Sequence, residues 1–120
     1  MFGKKETQWF MVFSSMEKAR ELVGVNKVVA VELGEKRICL ARTEKGFYAL
    51  DEKCPHQKLP ITSGGFCENG HIVCPFHRYS WDLKTGRETR RQEDNIRLYP
   101  VEERENGLFV GIEMKKKFWF

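Results

Sequence analysis

Two short clusters of cysteine and histidine, Cys54-Pro55-His56 and Cys74-Pro75-Phe76-His77, constrain this chain more than any other feature in it. Each offers one thiolate and one imidazole, and each cysteine is followed directly by proline. Proline fixes φ, which stiffens a loop that has to hold a ligand in place. Seventeen residues separate His56 from Cys74, among them Ser63-Gly64-Gly65 and the turn pair Asn69-Gly70. The chain can therefore fold back and present the clusters side by side. Of the three histidines only His71 lies outside the set. Ordinary packing accounts poorly for two such clusters in one small domain. A structural zinc module of the Cys2His2 type uses the same residue types and is a chemical alternative.

A length of 120 residues suits one domain spanning 1–120. Such a chain buries roughly two-thirds of its unfolded surface and needs no disulfide to fold. Charged residues make up 32% and the net charge is +4, too mild a basicity to argue for nucleic acid. No apolar run approaches the roughly 18 residues of a membrane span. Trp9-Phe10-Met11-Val12-Phe13 has neither the length nor the cleavage pattern of a signal peptide. These features suggest a cytoplasmic protein without membrane or nucleic-acid partners, in which cysteines serve metal more readily than disulfides.

Ser14 followed by Glu17 has the capping-box spacing and predicts a short helix from about Met16 to Val23, ending at Gly24. The remainder reads as short strands. Val29, Val31 and Leu33 alternate, as do Ile38 and Leu40 after the Gly34-Glu35 turn. Phe47–Leu50 follows Gly46, and Leu108, Val110, Ile112 and Met114 mark a last strand. Asn69-Gly70 and Asn106-Gly107 are the strongest hairpin signals, because a type I′ turn needs positive φ at both positions. The class is mainly β: a small antiparallel sandwich or barrel-like protein with one short N-terminal helix.

Cys-x-His followed by Cys-x-x-His resembles the ligand pattern of Rieske [2Fe–2S] proteins, in which two histidines replace two cysteines on one iron. The likeness extends to Gly46–Asp51 before the first cluster and Asp82–Gly86 after the second, and it covers about Lys27 to Ile112. It implies a Rieske-like β sandwich with a cluster-binding subdomain at about 52–82 and one [2Fe–2S] cluster per chain. Cys54 and Cys74 would hold the inner iron, and His56 and His77 the outer iron near solvent. Neutral imidazoles remove two negative charges relative to four thiolates. Rieske centres accordingly sit at roughly −150 to +300 mV, against about −400 mV for plant-type ferredoxins.

Subtype follows from neighbouring positions. High-potential members carry an extra cysteine in each ligand loop, and those positions resemble Leu59 and Phe76 here. Their serine and tyrosine hydroxyls against the cluster match Tyr79 and Trp81. The resemblance is therefore to low-potential Rieske ferredoxins, one-electron carriers between a ferredoxin reductase and a terminal oxygenase or other redox protein. A catalytic mononuclear iron needs two histidines and a carboxylate beyond the cluster, and only His71 remains, so the chain is not expected to be an oxygenase by itself. An auxiliary subunit resembling the small subunit of nitrite reductase is the other reading within the family.

Cys39 reads as a small buried strand residue, Cys67 as a structural thiol in the loop between ligand clusters, and His71 as a strand-end residue or a donor behind the ligands. Lys53, Lys58, Arg78, Arg87, Arg90 and Arg91 form either a solvated face or a docking rim for an acidic partner. Relatives often have glycine where Arg78 stands. Glu88–Asn95 replaces a proline-containing shielding loop by charged residues. The tail Lys115–Phe120 is expected to pack on Trp9–Phe13 or to meet a partner.

Overall fold

The computed structural model describes residues 5–55, 58–76, 78–91 and 94–115. In chain order these form β1 (Lys5–Phe13), α1 (Met16–Leu22), β2 (Val28–Leu33), β3 (Lys36–Thr43), β4 (Gly46–Asp51) and β5 (Phe66–Glu68). Then follow β6 (His71–Val73), β7 (Ser80–Asp82), β8 (Leu98–Tyr99), β9 (Val101–Arg104) and β10 (Gly107–Lys115). Three antiparallel sheets result, ordered β1-β10-β9, β2-β3-β4-β8 and β5-β6-β7. The mainly β class with one helix is as expected.

The helix begins at Met16 as expected, but its cap is one residue later than the capping-box spacing suggested. Ser15, not Ser14, is the N-cap, and its hydroxyl accepts the Lys18 N–H at 3.0 Å. Glu17 thus misses the reciprocal capping-box position but still lies in the first turn, where the helix dipole favours negative charge. At the other end Val23, not Gly24, is the C-cap. The Arg42 guanidinium donates to the carbonyls of Arg20 at 2.9 Å and Val23 at 2.8 Å. A cation thus satisfies carbonyls that the helix leaves unpaired.

Strand β3 belongs to two cores at once. Ile38 and Leu40 join a core with Ala19, Val23, Leu33, Ala49, Leu108, Val110 and Ile112. Cys39 and Ala41, on the opposite face, join Leu50, Cys54, Ile61, Cys67, Ile72, Cys74, Trp81, Leu83 and Ile96. Successive side chains of a strand point to opposite faces. The β2-β3-β4-β8 sheet therefore packs on the terminal sheet and α1 on one side and on β5-β6-β7 on the other.

Three local readings need correction. The hairpin at Asn106-Gly107 forms, but Gly107 pairs with Arg104, so Glu105 and Asn106 make the tip. Gly107 opens β10 at φ 141°, and a Cβ there would lie 2.1 Å from the Phe13 carbonyl oxygen. Cys67 is in β5 rather than a loop. Trp9–Phe13 belongs to β1, which pairs with β10, while Lys116–Phe120 lie outside the described residues. Asn69-Gly70 behaves as expected, with φ 50° and 76° between β5 and β6.

No helix among the described residues is long and apolar enough to cross a membrane.

Candidate metal centre

The two ligand loops are built alike. The backbone N–H of Cys54 donates to the carbonyl of Leu59 at 2.7 Å, and that of Cys74 to Tyr79 at 2.8 Å. Each bond spans five residues, and the residue before each acceptor is left-handed: Lys58 at φ 58° and Arg78 at φ 54°. In each loop proline follows the cysteine, and a basic residue takes the conformation that glycine adopts more readily.

The loops are held by different frames. The second is the tip of the β6–β7 hairpin, where Val73 pairs with Ser80. The first leaves the end of β4 and closes on itself, with Lys53 bridging Pro60 and the Ile61 N–H donating to the Glu52 carbonyl at 2.7 Å. The turn that follows it reaches the second loop, since a Cβ on Gly64 would sit 3.6 Å from Pro75.

Cys54 and Cys74 meet between these loops. They are 1% and 0% exposed, neither is in a disulfide, and their thiols are hydrogen-bonded to one another. Burial pushes the Cys74 thiol up to about 11; the neighbouring Cys54 thiol adds to this, and the Phe76 backbone opposes it. Two desolvated thiols in contact become thiolates only when positive charge is supplied, as by a thiolate-bound metal. The pair therefore fits an iron–sulfur unit. His56 and His77, the other expected ligands, lie outside the described residues. Among the described residues no group of three potential ligands occurs.

The neighbours of the pair are now placed. Leu59 and Phe76 stand in the two loops, and among the described residues all cysteines are free. Trp81 is fully buried, and its indole N–H donates to the Asp94 carbonyl at 2.9 Å. Its donor is therefore spent on the segment following β7. Part of that segment lies inward, for Glu88 and Ile96 are buried. Arg90, Arg91, Asp94 and Asn95 are exposed, and Gln92 and Glu93 lie outside the described residues. Tyr79 is half-buried beneath the Arg90 guanidinium, 4.9 Å from its ring.

His71 stands at the opposite end of β6 from Cys74, where its Nδ1 is 2.9 Å from the Asn69 carbonyl oxygen. That places it as a hairpin-end residue, not a donor to the ligands. Cys39 and Cys67 are buried in the shared core, and burial pushes Cys67 up to about 11. Double replacement, Cys39→Ala with Cys67→Ala, is expected to leave the midpoint potential unchanged while lowering thermal stability. Loss of the visible chromophore at intact folding would show that these thiols, too, serve the centre.

Sequence inspection passed over Glu52, Arg37 and Thr62. Glu52 is 8% exposed, and its Oε2 accepts from Arg37 Nε at 2.7 Å and Thr62 Oγ1 at 2.9 Å. Burial pushes the carboxyl up, but these hydrogen bonds and the Arg37 charge outweigh it and hold Glu52 below its usual value. The only local signal was a carboxylate two residues before a ligand cysteine.

Comparison with known proteins shows the family. The Rieske [2Fe–2S] domain profile matches residues 8–100. The methanesulfonate monooxygenase ferredoxin subunit of Methylosulfonomonas methylovora is 26% identical over 98 residues, covering 80% of each chain. Nitrite reductase [NAD(P)H] of Emericella nidulans is 31% identical over 85 residues, 64% of this chain, which spans only 8% of that protein. Among solved structures, the ferredoxin of carbazole 1,9a-dioxygenase from Nocardioides aromaticivorans IC177 superposes with a TM-score of 0.72 at 19% identity, covering 86% of this chain and 96% of that one. With the matched segment taking in both ligand loops and the buried thiol pair between them, this chain belongs to the Rieske [2Fe–2S] domain family and carries one [2Fe–2S] cluster.

Proposed function

We propose that this protein is a one-electron carrier, taking electrons from a ferredoxin reductase and passing them to a terminal oxygenase without catalysing a reaction of its own. The observation that carries the reading is the pair of buried thiols clasped between twin loops whose basic residues face solvent. The cluster, when bound, accepts and releases one electron. Cys54 and Cys74 would hold its inner iron, and His56 and His77 its outer iron. The protein is read as one domain, 1–120, with a cluster-binding subdomain at about 52–82, and as cytoplasmic. The sharing of β3 and β4 by both cores supports a single cooperative unit. Likeness to the methanesulfonate monooxygenase ferredoxin subunit supports the oxygenase direction. The fungal nitrite reductase match favours a second reading, an auxiliary Rieske subunit.

Purified protein should hold two iron and two acid-labile sulfide per chain and absorb visibly. His77→Ala should abolish or sharply alter that spectrum, and an unaltered one would remove His77 from the ligand set. A colourless zinc protein would overturn the reading.

The basic rim fits an acidic partner. Lys53, Lys58, Arg78, Arg87, Arg90 and Arg91 are all exposed. Residues 53–91 carry seven cationic and three acidic side chains, and the other 81 residues carry fourteen of each, so the net +4 falls within the segment that holds both ligand loops. Complementary charge speeds association, and salt screens it over about 8 Å at physiological ionic strength. Electron transfer to the acceptor should slow with added salt. Arg78→Glu should slow it more than Lys45→Glu, because Lys45 sits at the far end of the β3–β4 hairpin. Equal effects would leave only a solvated face.

A further inference from the structure

We propose that Glu52 is a positioning residue whose buried carboxylate staples the entry and exit of the first ligand loop to strand β3. The inference rests on the reading of Cys54 as a ligand. Successive pairings close this loop: Cys54 with Leu59, Lys53 with Pro60, and Glu52 with Ile61. The Glu52 side chain adds the outermost rung, accepting from Thr62 Oγ1 at 2.9 Å. The same oxygen accepts from Arg37 Nε at 2.7 Å. Arg37 is itself held from its other side, its Nη1 lying 3.4 Å from Glu32 Oε1 across the β2–β3 pair.

The staple stands two residues from Cys54 and thus at the root of the ligand. It adds side-chain ties where the backbone bond from Ile61 to Glu52 and the Ile38–Asp51 pairing end, linking the end of β4, the turn after the loop, and β3. Leu59 and Phe76 exclude a bridging disulfide between the ligand loops. Rigidity must then come from non-covalent ties, and hydrogen bonds to a charged acceptor are the strong kind. A neutral amide at position 52 keeps an acceptor for Thr62 but weakens the tie to Arg37.

The test uses cluster-loaded protein without any partner. Glu52→Gln, Glu52→Ala, Thr62→Val and the Glu52→Ala/Thr62→Val double variant are compared with Glu103→Gln, a surface control. Two quantities are read: the half-life of visible absorbance under a chelator, and the g-values of the reduced protein in electron paramagnetic resonance. Thr62→Val should shorten the half-life by about tenfold, the expected loss for one hydrogen bond to a charged group. Glu52→Ala, which loses the Arg37 tie as well, should shorten it further, and both should shift the g-values. Glu52→Gln should fall between wild type and Glu52→Ala. The double variant should be little worse than Glu52→Ala, since partners in one network are not additive. Thr62→Val keeps the carboxylate and the side-chain volume, so it guards against an unfolded Glu52→Ala. Half-lives within twofold of the control with superimposable g-values would overturn the staple. Failure of the wild type to hold a cluster would instead overturn the ligand reading beneath it.

Discussion

Voltammetry of the wild-type protein should give a midpoint near −150 mV, at the lower end of the Rieske range. The expected cause is the replacement, at Tyr79 and Trp81, of the serine and tyrosine hydroxyls that the high-potential members are expected to aim at the cluster. Donors stabilise the reduced, more negative state, so their absence lowers the potential. Leu59 and Phe76 exclude the bridging disulfide, Tyr79 stands where a serine would, and the indole N–H of Trp81 is taken by Asp94. A hydrogen bond to a charged group contributes about 1.5–3 kcal/mol. With 1.4 kcal/mol equal to about 59 mV for one electron, one restored donor should raise the midpoint by about 60–130 mV. Tyr79→Ser is the cleaner variant, for it alters a half-buried side chain at the loop surface. Trp81→Tyr adds a hydroxyl but gives up the bond to Asp94 inside a filled core, so its gain should be smaller. A wild-type value above about +100 mV would overturn the low-potential subtype and leave the family intact.

Gly65→Ala should cost the protein its cluster, whereas Gly70→Ala should not. A Cβ on Gly65 would fall 2.3 Å from the Ile61 carbonyl oxygen and 2.7 Å from its Cγ2. The Gly65 N–H also donates to that carbonyl at 2.7 Å. Making room therefore opens the turn that carries the first ligand loop against Pro75. Overpacking of this kind costs about 3 kcal/mol when backbone must move. A Cβ on Gly70 meets nothing within 4 Å, and only its φ of 76° resists the change. That left-handed strain costs about 1 kcal/mol. Thermal melting and iron content of the two variants give the comparison directly. A Gly65→Ala protein that loads fully and melts with wild type would mean the turn is not needed to hold the loops together.

The cysteine–histidine clusters were plain in the sequence because ligand chemistry is local: a thiolate and an imidazole must lie within a few residues of each other on a stiff loop. The strands around Val29, Ile38 and Leu108 were equally plain, since a period of two records which face is buried. Cys39 was correctly read as a core residue for the same reason. Where two signals competed, the sequence alone misplaced the feature by one position. Ser14 and Ser15 can both cap, and packing of Ala19 and Val23 against the sheet chose Ser15. Asn106-Gly107 has the composition of a type I′ turn, but Gly107 is needed in the strand where it passes the Phe13 carbonyl.

Tertiary structure alone decided which side chains meet across segments. Arg37 and Glu52 are fifteen residues apart and come together because Ile38 pairs with Asp51. Trp81 finds Asp94 because the chain returns along β7. The letters of the two ligand loops share cysteine, proline, a histidine and a basic residue, but that Lys58 and Arg78 are both left-handed and that both loops close in the same way is visible only in the structure. By itself the sequence named the candidate ligands, two thiolates and two imidazoles, because donor chemistry belongs to residue type. The rigidity of those ligands was decided by the fold, because it depends on strand register and on which polar groups are left to pair once the core has closed.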